Sequence, residues 1–249
     1  MRCSRRSIAA TGSTRVAAKN EPPVVEGEVL LIDKPTGWTS FDVVNKIRHL
    51  SGGVKTGHAG TLDPMATGLL IVCTGRKRKQ IDTYMGLDKE YEVEMELGVR
   101  TPSFDAETAV TERRSTAGIT ETQVRETLAV FVGEQTQIPP MWSAVKIDGT
   151  RLYKLARKGL EVERPPRQIV IHGIAVTEVQ IPKVRFTVMC SKGTYVRALV
   201  SDAGERLGCG ACMTALRRTR IGPYGLGEAM TMEQFQRRSA APAEPAPLA

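Results

Sequence analysis

The chain has 249 residues, of which 41% are hydrophobic, enough to bury a substantial core in one large domain or two modest ones. No apolar run approaches the roughly 20 residues needed to cross a bilayer, so no membrane-spanning helix is expected and a soluble, globular protein is. The net charge of +8 invites a nucleic-acid partner, yet Arg2, Arg5, Arg6, Arg15 and Lys19 fall in the first twenty residues, leaving 30 basic against 27 acidic residues elsewhere.

The opening twenty residues hold Arg, Ser, Ala and Thr but no acid, the composition of an organellar transit peptide for plastid or mitochondrion. Residues 1–26 are therefore expected to be a disordered leader. Gly27–Ile32 reads as a strand, stopped by the turn-forming Asp33-Lys34-Pro35-Thr36-Gly37. Thr39 or Ser40 then caps a helix to about Leu50, with Phe41, Val44, Ile47 and His49 near its apolar face. Gly52-Gly53 ends it. Leu69–Cys73 is a continuous apolar run and predicts a buried strand, followed by a helix through Arg76-Lys77-Arg78-Lys79 to Met85.

Strict alternation over Glu90–Leu97 predicts a half-buried strand with Tyr91, Val93, Met95 and Leu97 inward. A helix follows from Thr120 through Phe131. Ser143–Ile147 reads as a strand entering the Asp148-Gly149 turn, and Tyr153 to Lys158 as a short basic helix. Gln168–Ile181 and Val184–Cys190 predict paired strands. After Ser191-Lys192-Gly193-Thr194 the apolar spacing of Val196, Leu199, Val200, Ala203 and Leu207 predicts a helix ended by Gly208. Residues 239–249 are low in complexity and expected to be disordered, which leaves 27–238 as the folded domain. Strands separated by single helices indicate an α+β fold with a mixed or antiparallel sheet.

Five cysteines give no even disulfide framework, and Cys209-Gly-Ala-Cys212 has zinc-ligand spacing without a second pair or a clustered histidine, so no metal is expected. No cofactor is expected either, since the chain holds neither a phosphate loop nor a dinucleotide fingerprint. Two basic clusters, Arg76–Lys79 and Arg217, Arg218 and Arg220, read as phosphate contacts or as solvated faces.

The most informative stretch is Gly57–Gly68, GHAGTLDPMATG, where a single acid, Asp63, sits among backbone-shaping residues. Its glycines permit positive φ or close approach, and Pro64 restricts the residue before it, so the loop aims one carboxylate. His58, Thr61 and Thr67 surround it with ring and hydroxyl groups. That equipment suits catalysis or phosphate contact better than metal binding.

Gly57–Leu70 resembles the catalytic-loop signature of the TruB family of tRNA pseudouridine synthases. Further segments resemble that family in order: Asp33-Lys34-Pro35, Asp88-Lys89-Glu90-Tyr91, Pro139 through Lys146, Cys190 through Arg197, and Leu216-Arg217-Arg218. The likeness spans about Gly27 to Phe235. It implies the pseudouridine synthase fold, with helices flanking a central mixed or antiparallel sheet, and isomerisation of the T-loop uridine at position 55 of tRNA. It further implies Asp63 as nucleophile, Tyr91 stacking on the base, and Arg197 paired with Asp63 so as to lower its pKa. His58 would fill the gap left by a flipped nucleotide, with Lys34, Lys79, Tyr195 and Leu216 near the pocket. The implied partner is the tRNA T-arm stem-loop, bound by a monomer with no obligate protein partner. A tRNA-binding folding helper and other RNAs presenting the same loop remain alternative readings. Two departures stand out. Asp105-Ala106-Glu107-Thr108 lacks the glycine the family carries there, so that loop is expected to differ, and no C-terminal PUA-type RNA-binding domain is expected after Phe235.

Overall fold

The computed structural model describes residues 26–240; the expected leader to residue 25 and the tail from residue 241 lie outside the described residues. Its centre is a nine-stranded sheet built from β1 (Val29–Lys34), β2 (Thr56–Ala59), β3 (Thr67–Thr74), β4 (Lys89–Leu97), β5 (Gly133–Gln137), β6 (Arg167–Gln180), β7 (Lys183–Cys190), β8 (Ala211–Ile221) and β9 (Tyr224–Gly225). The order across it is β1-β3-β8-β4-β7-β6-β5, with β2 also on β3 and β9 on β8. Every pairing is antiparallel except β3 with β8, so the α+β reading with a mixed sheet holds. The helices are α1 (Ser40–Leu50), α2 (Ile81–Gly86), α3 (Glu121–Ala129), α4 (Leu152–Ala156), α5 (Val196–Arg206) and α6 (Met232–Ala240).

Burial patterns explain the layers. In β4 the alternation places Tyr91, Val93, Met95 and Leu97 in a core shared with Val124 and Leu128 of α3 and Leu199 and Ala203 of α5. β3 is apolar from Leu69 to Cys73 because both of its faces are covered. Leu70 and Val72 pack with Val43, Val44 and Ile47 of α1 and Phe235 of α6, while Leu69, Ile71 and Cys73 pack with Ile81, Tyr84 and Tyr224.

Several expectations are corrected. Of the two expected caps, Thr39 caps helix α1, in a capping box with Asp42, but Phe41 is 65% exposed and His49 also faces solvent. The core stripe is Val43, Val44 and Ile47, and at 100° per residue Phe41 lies more than a quarter turn from its centre. The basic run does not continue an α-helix: Gly75–Gln80 is 3₁₀, and α2 follows it directly. Within 143–151 only Lys146–Ile147 pairs, with Thr150–Arg151, across Asp148 and Gly149 at φ +48° and +76°, the geometry of a type I′ turn. The expected tail at 239 begins too early, because α6 runs to Ala240. β8 was not anticipated as a strand at all; its three arginines masked a central strand that pairs with β4 along most of its length.

One close approach fixes the register of the sheet. Gly68 has φ +98°, and a Cβ placed there would fall on the Arg218 backbone of β8. Replacing it with alanine combines left-handed strain with overpacking. Gly68→Ala should lower the free energy of unfolding by about 2–5 kcal/mol, as read by equilibrium urea denaturation; a loss under about 0.5 kcal/mol, the scale of an uneventful surface change, would contradict this packing.

Candidate active site

The loop between β2 and β3 is tied down on both sides, which is what aims Asp63. Ser40 Oγ donates to the Leu62 carbonyl at 3.1 Å and accepts from the Leu62 amide at 2.9 Å. The Gly37 amide donates to the Pro64 carbonyl at 2.9 Å, and Lys34 Nζ donates to the same carbonyl at 3.3 Å. From the other side, the Met65 amide donates to Glu107 Oε1 at 3.0 Å. Asp63 itself closes a turn by accepting from the Ala66 amide through its carbonyl.

Arg197, in the first turn of α5, meets Asp63 through Nε at 3.1 Å from Oδ2. The side chain is only 4% exposed; Nη1 donates to the Ser103 carbonyl at 3.1 Å, and Nη2 donates to the Trp142 carbonyl and to Asp63 Oδ1 at 3.4 Å. Asp105 completes the arrangement, with Oδ2 3.4 Å from Arg197 Nη1. Asp105 is 0% exposed and is itself held by Ser103 Oγ at 2.5 Å and by the Glu107 amide at 3.0 Å. One buried cation thus sits between two carboxylates, of which only Asp63, with 31% of its side chain exposed, reaches open space.

That space is a cleft of about 900 Å³. Asp63, Tyr91, Tyr195, Arg197 and Leu216 all line it. Tyr91 on β4 lies in register with Arg218 on β8, and Leu216 lies opposite Val93. Tyr195 precedes α5 and is clamped by Gln137, whose side chain accepts from its amide at 2.7 Å and donates to its carbonyl at 3.0 Å. The Tyr195 ring also lies 5.9 Å from the Arg197 guanidinium, a cation–π contact.

The electrostatics differ from expectation at the central acid. Burial pushes the Asp63 carboxyl above the ordinary range; Arg197 pulls it down and Asp105 pushes it further up. The guanidinium acts in the expected direction, but desolvation outweighs it. Burial likewise raises the Tyr91 hydroxyl, keeping it neutral. His58 is pushed down by burial and then by the charge of Arg218, so its ring is held neutral.

Three expected pocket residues lie off the cleft wall. Lys34 is 0% exposed, and its ammonium donates to the carbonyls of Pro35, Trp38 and Pro64, so it braces the loop from beneath. Lys79 is exposed on the 3₁₀ segment. His58 is half-buried on β2 with Nδ1 sealed and unpartnered. The second basic cluster is also corrected. Arg218 is 1% exposed and donates to the Leu69 and Gly60 carbonyls, Arg217 pairs with Asp33 at 2.8 Å, and Arg220 faces Glu90. Sequence reading missed Asp105, Glu107 and Ser40 as loop and arginine holders, and Lys89, a buried lysine on the cleft wall whose pKa falls to about 8 through burial. For Lys89, its place in the motif opening β4 was an available signal; for Asp105, only the unusual loop sequence was.

Residues 48–196 match the TruB family pseudouridylate synthase N-terminal domain, and residues 197–245 match the tRNA pseudouridylate synthase B C-terminal domain. The seam falls inside α5, yet β8 from the second stretch lies between β3 and β4 of the first, so the two form one sheet. The chain is 48% identical over 216 residues to tRNA pseudouridine synthase B of Phocaeicola vulgatus, covering 84% of this chain and 92% of that protein. It is 51% identical over 217 residues to the protein of that name from Chlorobium luteolum, covering 85% and 75%. Among solved structures, a Cbf5-Nop10-Gar1 complex matches with TM-score 0.65 and 32% identity over 82% of this chain, which spans about half, 52%, of that chain.

The two-carboxylate arrangement makes a direct titration prediction. Because Asp105 raises Asp63, Asp105→Asn should move the Asp63 carboxyl titration to lower pH, measured by NMR of the labelled carboxyl carbon. Leaving Arg197 short of a buried partner should also cost about 3 kcal/mol of stability. An unchanged or upward titration would show that Asp105 does not act on Asp63.

Proposed function

The chain belongs to the TruB family of tRNA pseudouridine synthases, and on that premise we propose that it isomerises the T-loop uridine at position 55 of tRNA with Asp63 as nucleophile. The observation that carries this reading is the aspartate–arginine pair at the floor of a cleft that also holds Tyr91, Tyr195 and Leu216.

Uridine becomes pseudouridine when the bond from ribose C1′ to ring nitrogen breaks, the uracil turns, and C1′ bonds a ring carbon, which gives up its proton while the freed nitrogen takes one up. Atoms and electrons balance within the nucleoside. One carboxylate nucleophile, adding to the uracil ring or to C1′ and leaving again, is sufficient equipment. Attack requires the ionised acid, which Arg197 favours against the burial that raises the carboxyl. Glu107, Ser40 and Lys34 keep the loop from turning Asp63 away.

The reactive atoms of a stacked uridine are hidden, so the base must be extruded at a cost of a few kcal/mol, offset by contacts in the pocket. Tyr91 supplies a stacking face, and its neutral hydroxyl beside Arg218 is placed to relay the proton lost from carbon. Leu216 and Tyr195 close the pocket around the ring. His58 fills the vacated stack, its neutral ring suited to lie among bases. The enzyme acts as a monomer on the T-arm, and the acid-free N-terminal segment suits import into a plastid or mitochondrion.

Asp63→Asn should abolish pseudouridine formation on a tRNA transcript while leaving tRNA affinity within about threefold, because the substitution preserves shape and removes only the nucleophile. Pseudouridine mapping at position 55 and filter binding check the two halves. Measurable turnover by this variant would refute the nucleophile assignment, and wild-type product at another position would refute the site.

A further inference from the structure

The first basic cluster has no role in the chemistry above. It is Arg76-Lys77-Arg78-Lys79, on the 3₁₀ segment Gly75–Gln80, joined by Lys55, whose carbonyl accepts from the Gly75 amide at 2.9 Å. Arg76, Arg78, Lys79 and Lys55 are exposed and Lys77 is half-exposed. None of the five makes an ion pair among the described residues. That contrasts with Arg100, Arg114, Arg125, Arg185, Arg217 and Arg238, each facing a carboxylate. Between Arg76 and Leu87 the chain carries one acid, Asp82.

Placement gives the cluster a direction. The 3₁₀ segment runs without a break into α2, and Asp82, Met85 and Gly86 of α2 line the cleft. Asp82 lies three residues beyond Lys79, so the cations begin roughly 5 Å along the helical segment from the cleft rim. Arg78 also lies along β2, its Nε 3.8 Å from where a Cβ on Gly57 would stand, next to His58. Residues three apart eclipse in a 3₁₀ helix, roughly 6 Å from each other, so Arg76 and Lys79 project side by side. Desolvating five unpaired cations against apolar protein is costly, whereas each phosphate they meet releases a counterion.

We propose that Lys55, Arg76, Lys77 and Arg78 form a phosphate-binding platform beside the cleft that grips the backbone of the helical stem carrying the target loop. This rests on the tRNA reading above. The platform reads no bases; it adds sequence-independent affinity and sets the angle at which the stem leaves the cleft.

The test is a K55Q/R76Q/R78Q variant of the full chain, assayed by filter binding with a whole tRNA transcript from 50 to 300 mM KCl. The expected result is a Kd at least about tenfold higher near 100 mM salt, with the slope of log K against log salt shallower by about two to three. R185Q, which removes an ion-paired surface arginine remote in sequence, should shift neither by more than about twofold, and matching thermal melts confirm that the triple variant is folded. K77Q, a single change, should reduce the slope by about one and keeps the question answerable if the triple variant unfolds. An affinity and slope equal to wild type would overturn the proposal and leave the platform to an acidic protein surface. Absence of tRNA binding by the wild-type protein itself would instead strike at the tRNA reading.

Discussion

The site depends on one buried guanidinium held between two carboxylates and two backbone carbonyls. Arg197 touches Asp63 and Asp105 and donates to two backbone carbonyls, from residues 103 and 142, that lie far apart in the chain. A charge withdrawn from water to this degree is tolerated only when paired and hydrogen-bonded. Two carboxylates and two carbonyls meet that requirement here. The consequence is mechanical as well as electrical, since the arginine cannot turn without breaking contacts to three separate segments. Asp63 therefore meets a fixed partner, and its remaining oxygen surface faces the cleft.

The sheet supplies the frame for that pair. β3 follows the Asp63 loop, β4 carries Tyr91, and β8 lies between them, with Gly68 allowing the backbones to close up and Arg218 tying β8 to the carbonyls of Leu69 and Gly60. Arg197 enters from α5, whose Leu199, Val200 and Ala203 are buried in the same core as Tyr91 and Leu216. Core packing and site geometry are thus one set of contacts. The loop itself has little regular structure, and its shape comes from Ser40, Lys34, Gly37 and Glu107, residues up to 42 positions away.

Much of this was legible in the sequence. The alternation of Tyr91 to Leu97, the apolar run of β3 and the capping signal at Thr39 each report a local rule that the fold obeys. Asp63, Arg197, Tyr91, Tyr195 and Leu216 were flagged by ordered motifs, and the fold brings all five to one cleft. What was hidden depends on long-range partners. Nothing local marks Asp105 as the second anion of Arg197, nor reveals that Lys34 points inward to three carbonyls. β8 escaped because arginines that read as a surface cluster are spent on internal ties and ion pairs. Phe41 and His49 misled in the opposite sense, since residue type suggested a buried face that helical phase denies them.

The central claim is that Arg197 works by geometry and not by charge alone. A lysine keeps the charge but loses the planar fork that reaches Asp63, Asp105 and two carbonyls together. Single-turnover pseudouridine formation by Arg197→Lys on a tRNA transcript, under saturating enzyme, tests this most directly. The account predicts a rate at least about 100-fold below wild type, the scale expected when a reacting group is misplaced by an ångström. A rate within about threefold of wild type would mean that a positive charge suffices, and would contradict the account.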